Sequence, residues 1–200
     1  DRTVYQIAEH LAADPFLISN STLDAGWHDS FYDQIHADIW SPKPSMTTVL
    51  KQIVGLHEYS NMGSSRYGTL TEAVKSTVTH DEQSLLQEMI EFKLFSEEIA
   101  LQRDLLYSTL LFTSQGIPML WQGQEFAFQS GWTDENGNGN WDEEKLRYRP
   151  VDWLRLASPE GKKHFELYRR LIQFRKESQA IRHGELVELA RYEGDRTVAW

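Results

Sequence analysis

Short runs of apolar and β-branched residues alternate along this chain with longer stretches of helical periodicity. Such runs favour extended backbone, and we predict four strands, near 3–8, 23–28, 74–79 and 117–121. Between them, apolar residues recur every three or four positions, as at Phe31, Ile35 and Ile39, which is typical of a helix with one buried face. Strands that alternate with helices predict an α/β fold with a parallel sheet.

Serine and proline residues mark where the predicted helices begin. Ser45 can cap a helix over 46–55, with its apolar residues on one face. The run Ser84-Leu85-Leu86-Gln87 has the spacing of a capping box, and helical periodicity continues from it to about residue 115 as one or two helices. A further helix begins with proline at its first position, at Pro159.

Two segments are predicted to form no helix. The segment 59–67 is polar and contains glycine, so we predict a loop there. The tail alternates polar and apolar residues over 185–189 and has a turn signal at Glu193-Gly194-Asp195, which predicts an antiparallel hairpin. We therefore expect two domains, residues 1–180 and residues 181–200, the second being the start of an antiparallel β domain.

Composition excludes several classes of function. The chain of 200 residues has a formal net charge of −10, which argues against binding to nucleic acid or to an anionic membrane surface. It contains no cysteine and no apolar run of about 18 residues, so we expect no disulfide, no thiolate catalysis and no transmembrane helix. The sequence opens without a signal-peptide pattern, and we expect a cytoplasmic protein.

Acidic side chains follow two of the predicted strands. Glu9 comes after the first strand and Asp81 after the third. The carboxyl edge of a parallel sheet is where such folds place their active sites, and glycoside cleavage needs two carboxylates that face each other across the substrate. The alternative is that each acid only caps the helix that follows it.

Polar and aromatic side chains accompany these acids. His10 and His80 are neighbours of the two acids, and each imidazole can bond either a sugar hydroxyl or a backbone carbonyl. Aromatic faces suit sugar rings as well as a core. Stacking on a sugar and packing in the core are therefore the two alternative roles of Trp27 and Trp121. Hydroxyl binding and loop closure are both open for three more, Gln122, Gln124 and Glu125.

Other catalytic chemistries lack their motifs. The sequence contains no HExxH, no Gly-x-Ser-x-Gly and no phosphate-binding glycine loop, so we expect no metal and no cofactor. The segment 134–142 places oxygen-bearing residues at alternate positions, as a calcium loop does. Lys145 stands where such a loop has its bidentate glutamate, which favours a solvated turn.

Five motifs together resemble the α-amylase superfamily, glycoside hydrolase family 13. They are Ile7-Ala8-Glu9-His10, Thr79-His80-Asp81-Glu82, the segment 116–126, Arg149-Pro150-Val151-Asp152-Trp153 and the segment 168–175. The resemblance is closest to glycogen branching enzymes and trehalose-releasing hydrolases, whose Gly-Gln-Glu-Phe and sixth-strand motifs are similar to 123–126 and 24–31. Order and spacing make the set specific, and it covers nearly the whole chain.

The resemblance implies a fold and three roles. Residues 1–180 would be the second half of a (β/α)8 TIM barrel, from about the fifth to the eighth strand. Glu9 would be the general acid/base, Asp81 the stabiliser of the transition state, and His80 a contact to a sugar hydroxyl. The family's nucleophile motif, Gly-x-Arg-x-Asp, and its Asp-x-x-x-Asn-His motif are absent from the sequence and would lie before residue 1.

The expected function follows from that resemblance. It implies a retaining glycosidase or transglycosidase that acts on an α-glucan or a malto-oligosaccharide, either a 1,4-α-glucan branching enzyme or an α-amylase-like hydrolase. Its partner would be the missing N-terminal half of the barrel, and we expect these 200 residues alone not to turn over α-glucan because a covalent intermediate needs the nucleophile. The alternative is a non-catalytic carbohydrate-binding or scaffold protein derived from the same fold.

Overall fold

The computed structural model describes residues 4–10, 13–41, 45–60, 63–92, 95–129 and 148–200. The chain divides into two compact units. The first unit contains Asp1–Ser76, Leu110–Met119 and Phe174–Trp200, and the second contains Thr77–Thr109 and Leu120–Gln173. The segment 134–142, with its likeness to a calcium loop, lies outside the described residues.

The described elements are short strands and longer helices. The strands are β1 (Ile7–Ala8), β2 (Ala25–Trp27), β3 (His57–Ser60), β4 (Gly63–Arg66), β5 (Ala73–Lys75), β6 (Ile117–Pro118), β7 (Ala190–Tyr192) and β8 (Thr197–Ala199). The α-helices are α1 (Pro15–Ser19), α2 (Asp29–Trp40), α3 (Met46–Thr48), α4 (Leu85–Glu91), α5 (Glu97–Thr113), α6 (Trp153–Ala157), α7 (Pro159–Glu177) and α8 (Gln179–His183). A π-helix, Val49–Val54, continues α3, and Gln124–Phe126 form a 3-10 turn. None of the described helices is long and apolar enough to cross a membrane.

A parallel sheet in the first unit confirms the predicted α/β fold class. Its order is β1-β2-β5-β6, so the strands follow one another in the sheet in chain order, with β3 and β4 lying in the sequence between β2 and β5. All three pairings are parallel. Only β1 and β6 lie at the ends of this order. Three of these strands fall within the predicted segments, whereas β5 begins at Ala73, one residue before the segment 74–79. Each strand covers only two or three residues.

Packing of the first unit follows the predicted helical faces. Phe31, Ile35 and Ile39 are buried along α2. Val49, Leu50 and Ile53 are likewise buried in the helical segment that Ser45 caps, where the Ser45 hydroxyl accepts from Thr48 N. A second apolar cluster consists of Ile18, Leu56, Tyr67 and Ala73. Burial of such faces is the main favourable term that holds these elements together.

The predicted loop over 59–67 is wrong. Strands β3 and β4 form an antiparallel hairpin there, with His57 opposite Arg66 and Ser60 opposite Gly63. Polar side chains and glycine lower the local preference for extended backbone, but the two strands satisfy each other's backbone groups. The pairing is a tertiary effect that the local pattern does not contain.

Arg175 fixes the turn between α5 and β6. Its Nη1 donates to the carbonyls of Phe112 at 2.7 Å and of Ser114 at 2.8 Å, and its Nη2 donates to the carbonyl of Gly116. Burial lowers the pKa of this guanidinium from its ordinary value. The three carbonyls are at a helix end, where intrahelical partners run out, so one side chain of α7 supplies donors that the turn lacks.

Two helices that begin in the second unit have serine caps, and the cap at Ser84 was predicted. Ser84 Oγ accepts from Gln87 N at 3.2 Å, and Ser158 Oγ accepts from Gly161 N at 2.9 Å. The region after Ser84 forms two helices, α4 and α5. The buried face of α7 contains both apolar and polar residues, among them His164 and Tyr168.

The tail forms its hairpin later than predicted. Strands β7 and β8 pair antiparallel around a turn at 193–196, whereas the segment 185–189 forms no strand. Only Leu189, at its end, joins the ladder, donating from its backbone N to Ala199 O at 2.9 Å. The boundary at residue 181 and a complete β domain stay predictions.

Candidate active site

Glu9 directly follows the last residue of β1 in the first unit. The register pairs Ala8 with Gly26, so the parallel ladder ends one residue before Glu9. At the other end of β1, Gln6 N donates to Asp24 Oδ2 at 2.7 Å, which fixes where the strand begins. Glu9 and His10 are both exposed. The side chain of Glu9 therefore starts from the carboxyl edge of the sheet, the edge where such folds bind ligands.

Trp27 is the last residue of β2, on the neighbouring strand. Its backbone carbonyl accepts from the Tyr67 hydroxyl at 2.9 Å, and the next residue, His28, donates its backbone N to Val74 O at 2.8 Å. Trp27 is partly buried. His28 is buried and uses its Nδ1 to accept from Phe31 N at 3.1 Å, which caps α2. This cap makes His28 a structural residue that the sequence pattern did not single out.

The strand predicted over 74–79 ends at Lys75. The residues from Val74 to Thr79 are all buried, which fits the apolar pattern, but the backbone turns instead of continuing the ladder. Thr79 Oγ1 accepts from Asp81 N at 3.2 Å, a local bond that competes with strand pairing. Asp81 is therefore presented by a turn of the second unit.

His80 and Asp81 form a contact pair in that turn. His80 Nε2 lies 3.6 Å from Asp81 Oδ1, and the two side chains are 46% and 28% exposed. The ring of Trp121 lies near His80, with 6.1 Å between ring centroids and an interplanar angle of 45°. An indole face, an imidazole and a carboxylate thus come together within the second unit. This combination can stack on a sugar ring, bond its hydroxyls and stabilise positive charge.

Arg149 also reaches this group of residues. Its Nη2 donates to the backbone carbonyl of His80 at 2.8 Å. Arg149 was not predicted as a site residue, although the motif Arg149-Pro150-Val151-Asp152-Trp153 contributed to the family resemblance. That motif was the signal that would have found it. The guanidinium anchors the backbone that presents His80 and Asp81.

The three polar residues after Trp121 differ in exposure. Gln122 is exposed, Glu125 is partly buried, and Gln124 is only 7% exposed. The turn that separates them depends on Gly123, which has φ +84°; a Cβ there would lie 2.8 Å from Phe128. The structure therefore leaves Gln122 and Glu125 open to solvent, and it directs Gln124 inward.

Gln124 is bonded at both ends of its amide. Its Nε2 donates to Thr77 Oγ1 at 2.5 Å, and its Oε1 accepts from Trp121 N at 3.3 Å. The Tyr168 hydroxyl lies 2.7 Å from Ser108 Oγ, and burial raises the pKa of this hydroxyl because it disfavours the phenolate. These residues form a buried polar network beneath Trp121.

His80 and Asp81 bring an imidazole nitrogen and a carboxylate oxygen to within 3.6 Å of each other at this turn. Their chemistry fits hydroxyl binding and charge stabilisation.

The fold matches part of several solved pullulanases. Apo pullulanase from Paenibacillus barengoltzii superimposes with a TM-score of 0.67 at 22% identity, covering 90% of this chain and 30% of that one. Pullulanase type I from Bacillus subtilis str. 168, complexed with maltose, gives a TM-score of 0.65 at 16% identity and covers 96% and 28%. Pullulanase from Anoxybacillus sp. LM18-11, complexed with maltotetraose, gives 0.57 at 23% identity and covers 79% and 22%.

These likenesses show the fold alone. The chain spans less than a third of the length of each of the three pullulanases. No protein-family model matches this sequence, and no curated protein does. The matches to pullulanases do not support the predicted closeness to branching enzymes and trehalose-releasing hydrolases, which stays a prediction.

Proposed function

We propose that this chain is part of an α-glucan-active retaining glycosidase or transglycosidase of the α-amylase superfamily. One observation carries the proposal. Glu9 directly follows β1, at the carboxyl edge of a parallel sheet, in a chain whose fold matches part of solved pullulanases. In parallel α/β folds that edge carries the catalytic groups, and the motifs around Glu9 and Asp81 resemble those of the superfamily.

Glu9 would act first as acid and then as base. As the glycosidic bond breaks, its carboxylic acid donates a proton to the leaving oxygen while a carboxylate nucleophile bonds the anomeric carbon. Glu9, now a carboxylate, then takes a proton from the incoming water or sugar hydroxyl, which displaces the nucleophile. Since the sequence lacks the nucleophile motif, we propose that a segment outside these residues supplies it.

Asp81 would stabilise the positive charge that develops on the sugar ring in both steps. Its contact with His80 and the nearby face of Trp121 support this assignment. His80, His10, Gln122 and Glu125 would bond sugar hydroxyls, and Trp27 and Trp121 would stack on sugar rings.

The proposed substrate is an α-glucan or a malto-oligosaccharide. Support comes from the pullulanases of matching fold that were solved with maltose and maltotetraose. Within this class, the sequence resemblance favours branching of a 1,4-α-glucan or its hydrolysis. Transfer and hydrolysis differ only in whether a sugar hydroxyl or water accepts the glycosyl group in the second step.

The test uses the complete enzyme, meaning these residues together with the barrel half that carries the nucleophile. Incubation with amylose should release reducing ends if the enzyme hydrolyses, or create branch points without new reducing ends if it transfers. Binding of maltotetraose with neither product would support the non-catalytic alternative. The isolated chain should show no turnover, and robust starch hydrolysis by it would contradict the proposed division of the site.

A further inference from the structure

The geometry points to Gln124 as a positioning residue for the turn that presents Asp81. In this role Gln124 does not contact the sugar. Its side-chain hydrogen bonds hold Thr77 and the backbone of Trp121 in place. The inference rests on the proposed function, and it replaces the expectation that Gln124 binds substrate directly. The turn concerned is the segment 77–81, together with the backbone at residue 121.

Gln124 and its partner Thr77 are both buried. Gln124 is 7% exposed and Thr77 is 1% exposed. The bond between them, Nε2 to Oγ1 at 2.5 Å, joins residues that are 47 positions apart in the chain. Breaking a buried hydrogen bond of this kind costs free energy, because the donor and the acceptor are left unsatisfied. The bond therefore fixes the two backbone segments relative to each other.

Protein partners use both the donor and the acceptor group of the Gln124 amide. A glutamine side chain offers two N–H donors and one carbonyl oxygen. The oxygen accepts from Trp121 N at 3.3 Å, and one donor is used by Thr77. The amide is therefore occupied by protein partners, which leaves little capacity for a sugar hydroxyl.

The turn is also held at a second point, by Arg149. Arg149 Nη2 donates to His80 O at 2.8 Å, and Asp81 N donates to Thr79 Oγ1 at 3.2 Å. Thr77 begins the turn and His80 lies near its end, so Gln124 and Arg149 restrain it at both ends. The restraint fixes the direction of the Asp81 carboxylate and the spacing of His80 from Trp121.

Positioning and substrate binding predict different kinetics. An interaction that orients a catalytic group acts on the transition state, so its loss lowers kcat and leaves KM nearly unchanged. A direct sugar contact that is equal in the ground state and the transition state would instead raise KM. The positioning role also predicts that substitutions of Gln124 and Thr77 have non-additive effects, because both residues act through the same hydrogen bond.

The test uses Thr77→Val, which keeps the shape of the side chain and removes its hydroxyl, together with Gln124→Met and the double variant. In the complete enzyme we expect each single variant to lower kcat about 10- to 100-fold with KM for maltotetraose changed less than about twofold. The double variant should be no worse than the poorer single variant. Thr77→Ser should restore most of the activity, and Gln102→Met, on an exposed part of α5, is the control.

Three outcomes would overturn the inference. These are a rise in KM with kcat unchanged, fully additive losses in the double variant, and failure of Thr77→Ser to rescue. Amide hydrogen exchange gives a second readout that does not need activity. Thr77→Val should speed exchange at Asp81 N and Trp121 N while the rest of the fold keeps its protection. If the wild-type enzyme has no α-glucan turnover, the proposed function fails, and exchange still decides whether Gln124 positions the turn.

Discussion

Lys75 Nζ donates to the backbone carbonyl of Ile53 at 2.9 Å from a side chain that is 1% exposed. The same ammonium donates to the carbonyl of Gly55 and lies 5.2 Å from the centre of the Phe31 ring. Ile53 and Gly55 are at the end of the π-helix, where carbonyls lack intrahelical partners. A lysine in the middle of the sheet therefore completes the hydrogen bonding of a helix end, with help from the favourable field at a helix C-terminus.

Replacing this lysine should destabilise the fold strongly. Lys75→Met keeps the length of the side chain but leaves two buried carbonyls without their donor, and we expect the free energy of unfolding to fall by about 2–4 kcal/mol. Urea denaturation measures it. Lys163→Met, on an exposed face of α7, should change stability by less than about 0.5 kcal/mol. A loss at Lys75 as small as that of the control would contradict the assigned role.

Gly116 has a backbone conformation that a side chain would not fit. Its φ is +101°, and an added Cβ would lie 2.8 Å from the carbonyl oxygen of Ala73. We expect Gly116→Ala to lower the free energy of unfolding by about 1–3 kcal/mol, because the new residue is strained in this conformation and cannot move away from the sheet. Gly194→Ala is the matched control: nothing lies within 4 Å of its added Cβ. Thermal unfolding of both variants should separate them clearly.

The buried pair of His164 and Asp104 offers a third stability test. His164 Nε2 lies 3.3 Å from Asp104 Oδ2, and the side chains are 1% and 7% exposed. His164 Nδ1 also lies 3.0 Å from Glu160 O. Neither atom of the pair makes a well-directed hydrogen bond, so the contact is electrostatic. Removing the carboxylate with Asp104→Ala leaves the buried ring without this charge partner, and we expect a loss of about 2–4 kcal/mol.

Chemical denaturation is the measurement for that pair, and Asp195→Ala in the exposed turn before β8 is the control. The double variant Asp104→Ala/His164→Phe should recover part of the loss, because it removes the stranded nitrogen as well. An additive double variant would mean that the contact contributes nothing of its own.

The sequence predicted those features that local pattern determines. Phe31, Ile35 and Ile39 lie on one buried face because helical periodicity alone decides it. The hairpin of β3 and β4 was missed because its stability comes from backbone pairing between segments whose side chains are polar. The end of β5 at Lys75 was missed for a related reason: Val74 to Thr79 are buried as the pattern indicates, but burial does not require a strand.

In the candidate site, too, the features set by local sequence were predicted and those set by distant partners were not. Glu9 was placed after a strand by a local run of apolar residues, and β1 indeed ends one residue before it. The inward direction of Gln124 could not be predicted, since it depends on a partner 47 residues away and on the left-handed conformation of Gly123. Long-range partners decide which polar residues of a motif face solvent, and a single sequence does not contain them.

Catalysis by the complete enzyme should depend on Glu9. Glu9→Gln removes the proton that the leaving oxygen needs while keeping the shape of the side chain, so we expect turnover of amylose to fall by about 10²- to 10⁴-fold. Binding of maltotetraose, measured by calorimetry, should be retained. Glu97→Gln, at the start of α5, serves as the control. Loss of binding with the fold intact would count against an acid/base role for Glu9.

Glu193 links the turn between β7 and β8 to the start of α3. Its carboxylate accepts from Met46 N at 2.9 Å and from Thr47 N and Oγ1, each at 3.1 Å. The bond from Met46 N, with those from Thr47 and the charge of Arg191, lowers the pKa of this carboxyl from its ordinary value of 4.5. Carboxylates at a helix N-terminus are stabilised by the unpaired N–H groups there.

The sign of the resulting pH dependence is fixed by that direction. Because the pKa of Glu193 is lower in the folded state than in the unfolded state, its contribution is fully present above the unfolded value of 4.5 and is lost as pH falls through the folded value. Glu193→Gln should therefore be less stable than the wild type at pH 7, and the difference should shrink as the pH is lowered below that ordinary value. Urea unfolding of both proteins across this range measures the difference. A difference that stays constant with pH would show that the carboxylate charge contributes nothing and that only the shape of the side chain matters.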